Sequence, residues 1–284
     1  MSKQFLGLGA AGAAIAAGSF FSTSALAGTL VSTELVLSVD ISASVNSQEF
    51  DLQRQGYVDA FRDLELIELI EGLEHGIAVT MQYWSTTPAT PLPWYRITDA
   101  ASANAFADAI AAAPRPESNL TNIAAAIESA TALLLNNEFD GQRMVIDVSG
   151  DGRQNTNIAG TDLCARERVG DRTINNDLSP SCYGLVTSAR DAAVAAGITI
   201  NGLPILTDVT DLDSYFLDYA IGGNEAFVQA AVNFSDFEAA VKTKIKREII
   251  PEVQPESVPE PSVTLGLLLG LLGGRSFLKR RDRA

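Results

Sequence analysis

Apolar and polar positions in the middle of the chain follow the periods of strands and helices in turn. Residues Glu34–Val39 are almost continuously apolar and predict a buried strand, whereas residues 48–71 repeat their apolar positions at helical spacing. Both patterns recur downstream. They predict strands near Gly76–Trp84, Thr90–Trp94, Arg143–Val148, Ile198–Leu203 and Ala226–Ala231, helices near Ala101–Ala112, Asn122–Leu135, Ser188–Ala196 and Ser235–Glu248, and a further element at Asp211–Tyr219.

Strands that alternate with Ala-rich helices predict an α/β fold with a doubly wound, mostly parallel sheet and helices on both faces. The short segment Thr90–Trp94 directly follows a predicted strand and is expected to be an antiparallel edge strand. In such sheets the ligand site lies at the carboxyl ends of the strands, near the switch in strand order. Polar residues that follow the strands are therefore the first candidates for function.

The amino-terminal segment differs in pattern from the rest of the chain. Residues 1–27 combine Lys3, an apolar stretch from Phe5 to Phe21, and the small residues Ala25 and Ala27. A basic start, an apolar middle and small residues before the cleavage point are the requirements of a secretory signal peptide. We expect cleavage after Ala27 and an exported domain at 28–249; a buried amino-terminal helix is the alternative.

The carboxyl-terminal segment carries a second targeting pattern. Residues 250–261 form a Pro/Glu-rich linker, and residues 262–284 comprise a short apolar stretch and an Arg-rich tail. Pro259-Glu260-Pro261 followed by these features resembles the PEP-CTERM sorting signal of Gram-negative bacteria. The resemblance implies an exosortase-type processing enzyme, transient membrane anchoring, and delivery to the cell surface or extracellular matrix. A plain membrane anchor is the alternative, although the apolar run is short for a span.

The charge balance excludes some classes of partner. The chain has 20 basic and 35 acidic residues and a formal net charge of −15, although its tail is basic. The domain between the two ends is therefore strongly acidic. Such a surface repels nucleic acid and anionic lipid headgroups, so neither is an expected partner.

Polar residues cluster where three predicted segments meet the ligand edge of the sheet. The first strand runs into Asp40-Ile41-Ser42-Ala43-Ser44, Thr121 opens a helix, and Asp151-Gly152 follows a buried strand. This D-x-S-x-S, Thr and D-G pattern resembles the metal-ion-dependent adhesion site (MIDAS) of von Willebrand factor A-type (VWA) domains. Gly222-Gly223, before a short predicted strand and an amphipathic last helix, also resembles a group of bacterial VWA-like proteins of undefined function. The resemblance covers roughly residues 33–249.

The chemistry of these residues agrees with the resemblance. Ser42, Ser44 and Thr121 offer neutral hydroxyl oxygens, while Asp40 and Asp151 bind a divalent ion directly or through its waters. Mg²⁺ is the expected ion, with Mn²⁺ and Ca²⁺ as alternatives. The resemblance implies that the ion keeps an open position for a carboxylate of a protein or matrix partner. Taken singly, each of the five residues also suits a helix cap or a turn.

Two cysteines lie in a polar insertion at about residues 153–184. An exported chain with only Cys164 and Cys182 favours a disulfide between them, worth roughly 3 kcal/mol in the chain-entropy model. The insertion directly follows Asp151 and therefore starts on the metal face. It either shapes partner selectivity or is a stabilised surface excursion.

Catalytic patterns are weak, so we expect a protein that is not an enzyme. His75 is the only histidine and precedes a strand as an ordinary loop residue, and position 42 is Ser where a haloacid-dehalogenase phosphatase has Asp. No phosphate-binding or dinucleotide loop opens the first βα unit. Asp147 interrupts an apolar strand; we interpret it as an acceptor near the site or as bonded to a neighbouring loop, and not as a ligand. Trp84, Trp94 and Tyr95 suit packing better than a sugar platform.

Two functions from different classes remain. The first is an exported, surface-anchored VWA-like module that binds a metal and captures a partner's carboxylate. The second is a structural component of the extracellular matrix whose metal site mainly stabilises the fold.

Overall fold

The fold is organised around a long, mostly buried first strand. The computed structural model describes residues 28–159, 168–169, 172–173 and 180–250. The described strands are β1 (Thr29–Asp40), β2 (Ile77–Trp84), β3 (Ala89–Ile97), β4 (Phe139–Gly150), β5 (Arg168–Val169), β6 (Arg172–Thr173) and β7 (Ile198–Pro204). The described α-helices are α1 (Ser47–Phe61), α2 (Leu64–Glu71), α3 (Ala100–Ala112), α4 (Ile123–Leu135), α5 (Pro180–Ala195), α6 (Leu212–Tyr215) and α7 (Phe237–Ile249).

Five strands form one sheet in the order β3-β2-β1-β4-β7. The neighbouring strands β2, β1, β4 and β7 are mutually parallel, and β3 pairs antiparallel with β2 at the edge. The strands β5 and β6 form a separate two-residue antiparallel ladder. The predicted doubly wound α/β sheet with one antiparallel edge strand is confirmed. The order of connection reverses at β1 and β4, which places the expected ligand edge between them.

Helices cover the two faces of the sheet because the side chains of its strands alternate between them. On one face, Leu35, Leu37 and Val39 of β1 belong to a core shared with α1, α2, α3 and α7. On the other face, Val36 belongs to a core shared with α4 and α5. A strand buried on both faces reads as a continuous apolar run, which explains the pattern from which β1 is predicted.

Two predicted elements need correction. The helical pattern over residues 48–71 belongs to two helices, because Asp63 leaves helical geometry and its side chain caps α2 by accepting from the Leu66 N–H. Residues 226–231 do not form a continuous strand. Instead, isolated bridges pair Val228 with Gly202 of β7 and Ala231 with Ile205, the residue after β7.

Both predicted targeting segments fall outside the described residues. Residues 1–27 and 251–284 are not among them, so the signal peptide, most of the linker and the sorting segment stay predictions. Within the part of the chain that the structure describes, no helix has the length and apolarity needed to cross a bilayer.

The contact between α1 and α7 depends on a glycine. A Cβ added to Gly56 would lie 2.8 Å from Phe237 Cδ1 and 3.3 Å from Glu238 Cα. We therefore expect Gly56→Ala to lower the free energy of unfolding by about 1–3 kcal/mol, because overpacking outweighs the gain in helix propensity. Denaturant unfolding followed by circular dichroism measures this change.

The matched control for this prediction is Gly184→Ala in α5. Among the described residues, no atom outside the helix lies within 4 Å of a Cβ at Gly184. Only helix propensity therefore changes there, and we expect a gain of roughly 0.5–1 kcal/mol. Equal effects of the two substitutions would contradict the account of the α1–α7 contact.

Candidate metal site

The first strand delivers a buried carboxylate to the ligand edge of the sheet. Asp40 ends β1 and is fully buried, and its Oδ1 accepts from the Ser42 N–H at 2.7 Å. Gln53 of α1 donates from Nε2 to the Asp40 carbonyl oxygen at 3.1 Å. Gly150 at the end of β4 makes room for this carboxylate, since a Cβ there would lie 2.9 Å from Asp40 Oδ2. The position of Asp40 is therefore fixed by β1, by α1 and by its neighbour strand β4.

A chain of hydrogen bonds joins the two serines to the second carboxylate. Ser42 Oγ lies 3.1 Å from Ser44 Oγ, and Ser44 Oγ donates to Asp151 Oδ1 at 2.7 Å. Ser42 and Asp151 are buried, whereas Ser44 is exposed. The group of oxygens therefore extends from the interior to the solvent.

The loop before α4 brings Thr121 to the same place. The Thr121 N–H donates to Asn155 Oδ1 at 2.9 Å, and the Asn155 N–H donates to the Thr121 carbonyl oxygen at 3.1 Å. A Cβ at Gly152 would lie 3.5 Å from Thr121 Oγ1, so this hydroxyl is beside the residue that follows Asp151. The Ala43 N–H also donates to the Asn119 carbonyl oxygen at 2.8 Å. The structure thus brings all three predicted segments together.

The two carboxylates make the site electrostatically costly without a cation. Burial, and then the charge of Asp151, raise the pKa of Asp40 to about 8. Burial also raises the pKa of Asp151, against the opposing hydrogen bond from Ser44. Within the described residues, Asp40 Oδ2 and Asp151 Oδ2 are buried and have no hydrogen-bond partner. Buried acceptors of this kind call for a compensating donor or cation.

The donor set fits a hard divalent cation. Two carboxylates and three hydroxyls supply only oxygen, which Mg²⁺, Mn²⁺ and Ca²⁺ accept. Among the described residues, no group of three or more His, Cys, Asp or Glu side chains is arranged to hold a metal.

Sequence reasoning did not identify the residues that support the loops. Arg115 donates from Nη2 to the carbonyl oxygens of Ile41 and Val45 at 3.1 and 2.6 Å, and so holds the serine loop in place. Asn155 orients Thr121 from the start of the insertion. An Asn close behind the D-G pair is the only sequence signal for this second role, whereas Arg115 has none.

Other candidate residues have different environments from those expected. Asp147 is not bonded to a neighbouring loop; it lies against Lys244 of α7, 2.7 Å from its Nζ, on the buried face of β4. Trp84 is fully buried, whereas Trp94 and Tyr95 are partly buried, in agreement with packing roles. Cys182 is also buried, but Cys164 lies outside the described residues, and the pairing stays a prediction.

A family model covers most of the chain. The model described as a protein of unknown function, DUF1194, matches residues 30–179 and 170–253. The chain belongs to the DUF1194 family. No curated protein matches this DUF1194 chain in sequence.

Solved structures share the fold of the DUF1194 chain. The PilB minor pilin from Streptococcus sanguinis matches with a TM-score of 0.56 and 15% identity over 78% of this chain and 63% of that one. The pilus adhesin SpaC from Lactobacillus rhamnosus GG, in its open conformation, matches with a TM-score of 0.50 and 13% identity over 76% of this chain and 30% of that one. Proximal thread matrix protein 1 from the mussel byssus matches with a TM-score of 0.50 and 15% identity over 78% of this chain and 47% of that one. The DUF1194 chain covers less than two thirds of each, and the likeness supports the predicted VWA-like fold alone.

We expect Asp40→Asn to have opposite effects on the metal-free and metal-loaded protein. Without metal, the substitution removes one of two adjacent buried charges and should not lower the melting temperature. A free metal concentration of 100 times the Kd should stabilise wild type by about 2.7 kcal/mol, or roughly 5–10 °C, and the variant far less. Thermal unfolding in chelator and in Mg²⁺ or Mn²⁺ measures both effects.

The control is Asp140→Asn, at the opposite end of β4 from the site. Asp140 is exposed, so its substitution should leave the metal-dependent shift intact. A shift of equal size in wild type and Asp40→Asn would rule out Asp40 as a determinant of metal binding.

Proposed function

We propose that this protein is an exported VWA-like binding module that captures a carboxylate of a protein or matrix partner through a divalent metal ion. Asp40, Ser42, Ser44, Thr121 and Asp151 would hold the ion, with Mg²⁺ as the expected species. The observation that carries the proposal is the pair of buried carboxylate oxygens, Asp40 Oδ2 and Asp151 Oδ2, that have no hydrogen-bond partners among the described residues.

The residues of the site have separable tasks in this proposal. Asp40 supplies charge from the interior, and the Ser42 N–H fixes its other oxygen. Ser44 orients Asp151 by its hydrogen bond and is the exposed end of the cluster. Asn155 holds the Thr121 backbone, so that the hydroxyl stays beside Gly152. The ion, when bound, would supply positive charge and an open coordination position at the solvent-facing end.

The negative charge of the protein supports a role for the ion in attracting a carboxylate partner. The chain carries a net charge of −15, and Glu49 and Asp208 act electrostatically on Asp151. A partner carboxylate is repelled by this surface in the absence of metal. Capture would then depend on the ion, which makes the proposed binding sensitive to chelation.

Export and surface display complete the proposal. The predicted signal peptide and the PEP-CTERM-like tail support export, exosortase-type processing and a surface or matrix location. Two of the solved structures that share the fold are named as a minor pilin and a pilus adhesin. Their names are a precedent for surface display of this fold and are not evidence of a shared ligand. A binding role, rather than catalysis, is consistent with the hydroxyl-rich site.

We expect metal-dependent retention of the purified protein on beads that carry an acidic peptide. In Mg²⁺ or Mn²⁺ the protein should bind carboxylate beads and not beads with the matching carboxamide peptide. Ser44→Ala removes the hydroxyl that orients Asp151 and should weaken retention about tenfold, the equivalent of 1.4 kcal/mol. A titration of bound against free protein measures the change, and an excess of chelator should abolish the binding.

Ser47→Ala is the matched control, because Ser47 is also exposed but begins α1 outside the site. Calorimetric titration with the metal alone separates the two functions of the site. Metal binding without any carboxylate capture favours the structural matrix component, in which the ion stabilises the fold. Retention that survives chelation would refute the proposed mode of capture.

A further inference from the structure

A second charged cluster is sealed between the sheet and the last helix. Lys244 and Glu248 lie one turn apart on α7, Asp147 lies on β4, and Asn201 lies on β7. All four side chains are fully buried. This cluster belongs to neither the metal site nor the predicted insertion.

Lys244 lies directly against the Asp147 carboxyl group. Its Nζ is 2.7 Å from Asp147 Oδ1, yet neither oxygen of Asp147 has a hydrogen bond from the described residues. The close approach is therefore not a well-aligned hydrogen bond. Lys244 Nζ also contacts Glu248 Oε1, which accepts from Asn201 Nδ2 at 3.0 Å.

The charges of the cluster do not balance in their ordinary ionisation states. One ammonium group faces two carboxylates, all three side chains are fully buried, and such burial is costly. Burial, and then the charge of Asp147, raise the pKa of Glu248 to about 8, so Glu248 carries a proton at neutral pH.

We propose that Lys244 and Asp147 form an intramolecular isopeptide bond, an amide that joins Nζ to Cγ, with Glu248 as the group that moves the proton. The bond would replace two buried charges by one neutral amide. Amine and acid are held in contact by the fold, which supplies the proximity that free reactants lack.

The step needs no other reactant. Asp147 first takes one proton from the Lys244 ammonium group, which leaves a neutral amine and a neutral acid. The Nζ lone pair forms a bond to Cγ while Glu248 donates a proton to the departing oxygen, and the C–O bond breaks. Glu248 then recovers a proton from the nitrogen, and one water molecule is released. Glu248 is placed for this role because its Oε1 touches Nζ.

Asn201 is the competing electrophile, but its amide is already hydrogen-bonded. Its Nδ2 donates to Glu248, and its Oδ1 accepts from the Phe227 N–H at 3.1 Å. Asp147, in contrast, has no hydrogen bonds from the described residues. Among the described carboxyl groups outside α7, it is the one that lies nearest to Lys244 Nζ. A Lys–Asn bond would release ammonia instead of water, so mass distinguishes the two products.

The bond would tie the last helix to a strand inside the sheet. The chain leaves the described domain just after α7, toward the predicted linker and sorting segment. Tension from that end would pass from α7 to β4 through an amide and not through noncovalent packing alone.

Mass spectrometry of the full-length protein, purified from the producing cells, reduced and denatured, tests the proposal. A proteolytic digest of wild type should contain one branched species that joins the peptides of Asp147 and Lys244, lighter than their sum by one water. Recovery of both peptides separately and in full yield would overturn the proposal. A loss of ammonia in a species that contains Asn201 would overturn the choice of Asp147.

Two substitutions sharpen this test. Lys244→Arg keeps the positive charge but removes the nucleophilic amine, so its peptides should be recovered separately. Glu248→Gln keeps hydrogen-bonding capacity but removes the proton, and at least a tenfold lower linked fraction is expected. Glu238→Gln on the exposed face of α7 is the control and should leave the linked fraction unchanged. Full linkage in Glu248→Gln would exclude the role of Glu248.

Discussion

The burial of negative charge at the end of the sheet is the constraint on which this structure depends. The reversal of strand order between β1 and β4 brings Asp40 and Asp151 together, and both are almost completely removed from solvent. Hydrogen bonds from Ser42 and Ser44 satisfy one oxygen of each carboxylate. The other oxygens define the place where a cation would stabilise the folded chain.

The strand β4, which leads into Asp151, carries another buried carboxylate, and the cost of burying its charge is offset in a different way. Asp147 lies four residues before Asp151, but its face of β4 is covered by α7, which supplies Lys244. The first cluster reaches solvent through Ser44 and is open to an exchangeable ion, whereas the second is sealed and has only the groups that the fold provides. The distinction between a binding site and an internal link therefore follows from access to water.

The sequence was sufficient to predict the fold, and to select the three segments that carry the five proposed metal ligands, because both have local signals. Continuous apolar runs identify buried strands, and the spacing of Asp40, Ser42 and Ser44 is contained within one loop. The helix break at Asp63 was missed because the apolar period continues across it. The segment 226–231 was wrongly predicted as a strand because an apolar run does not determine whether the hydrogen-bond ladder is continuous; only isolated bridges form.

The partner of Asp147 was beyond sequence reasoning for a different reason. A lysine on a polar helix such as α7 is normally exposed, and nothing local indicates that Lys244 points into the core. Its burial follows from the docking of α7 against α1, where Gly56 permits the close approach of Phe237. Since α1 also holds the Asp40 carbonyl oxygen through Gln53, the packing that buries Lys244 also supports the start of the loop that carries Ser42 and Ser44. The two clusters therefore depend on one helix interface, although their chemistry is separate.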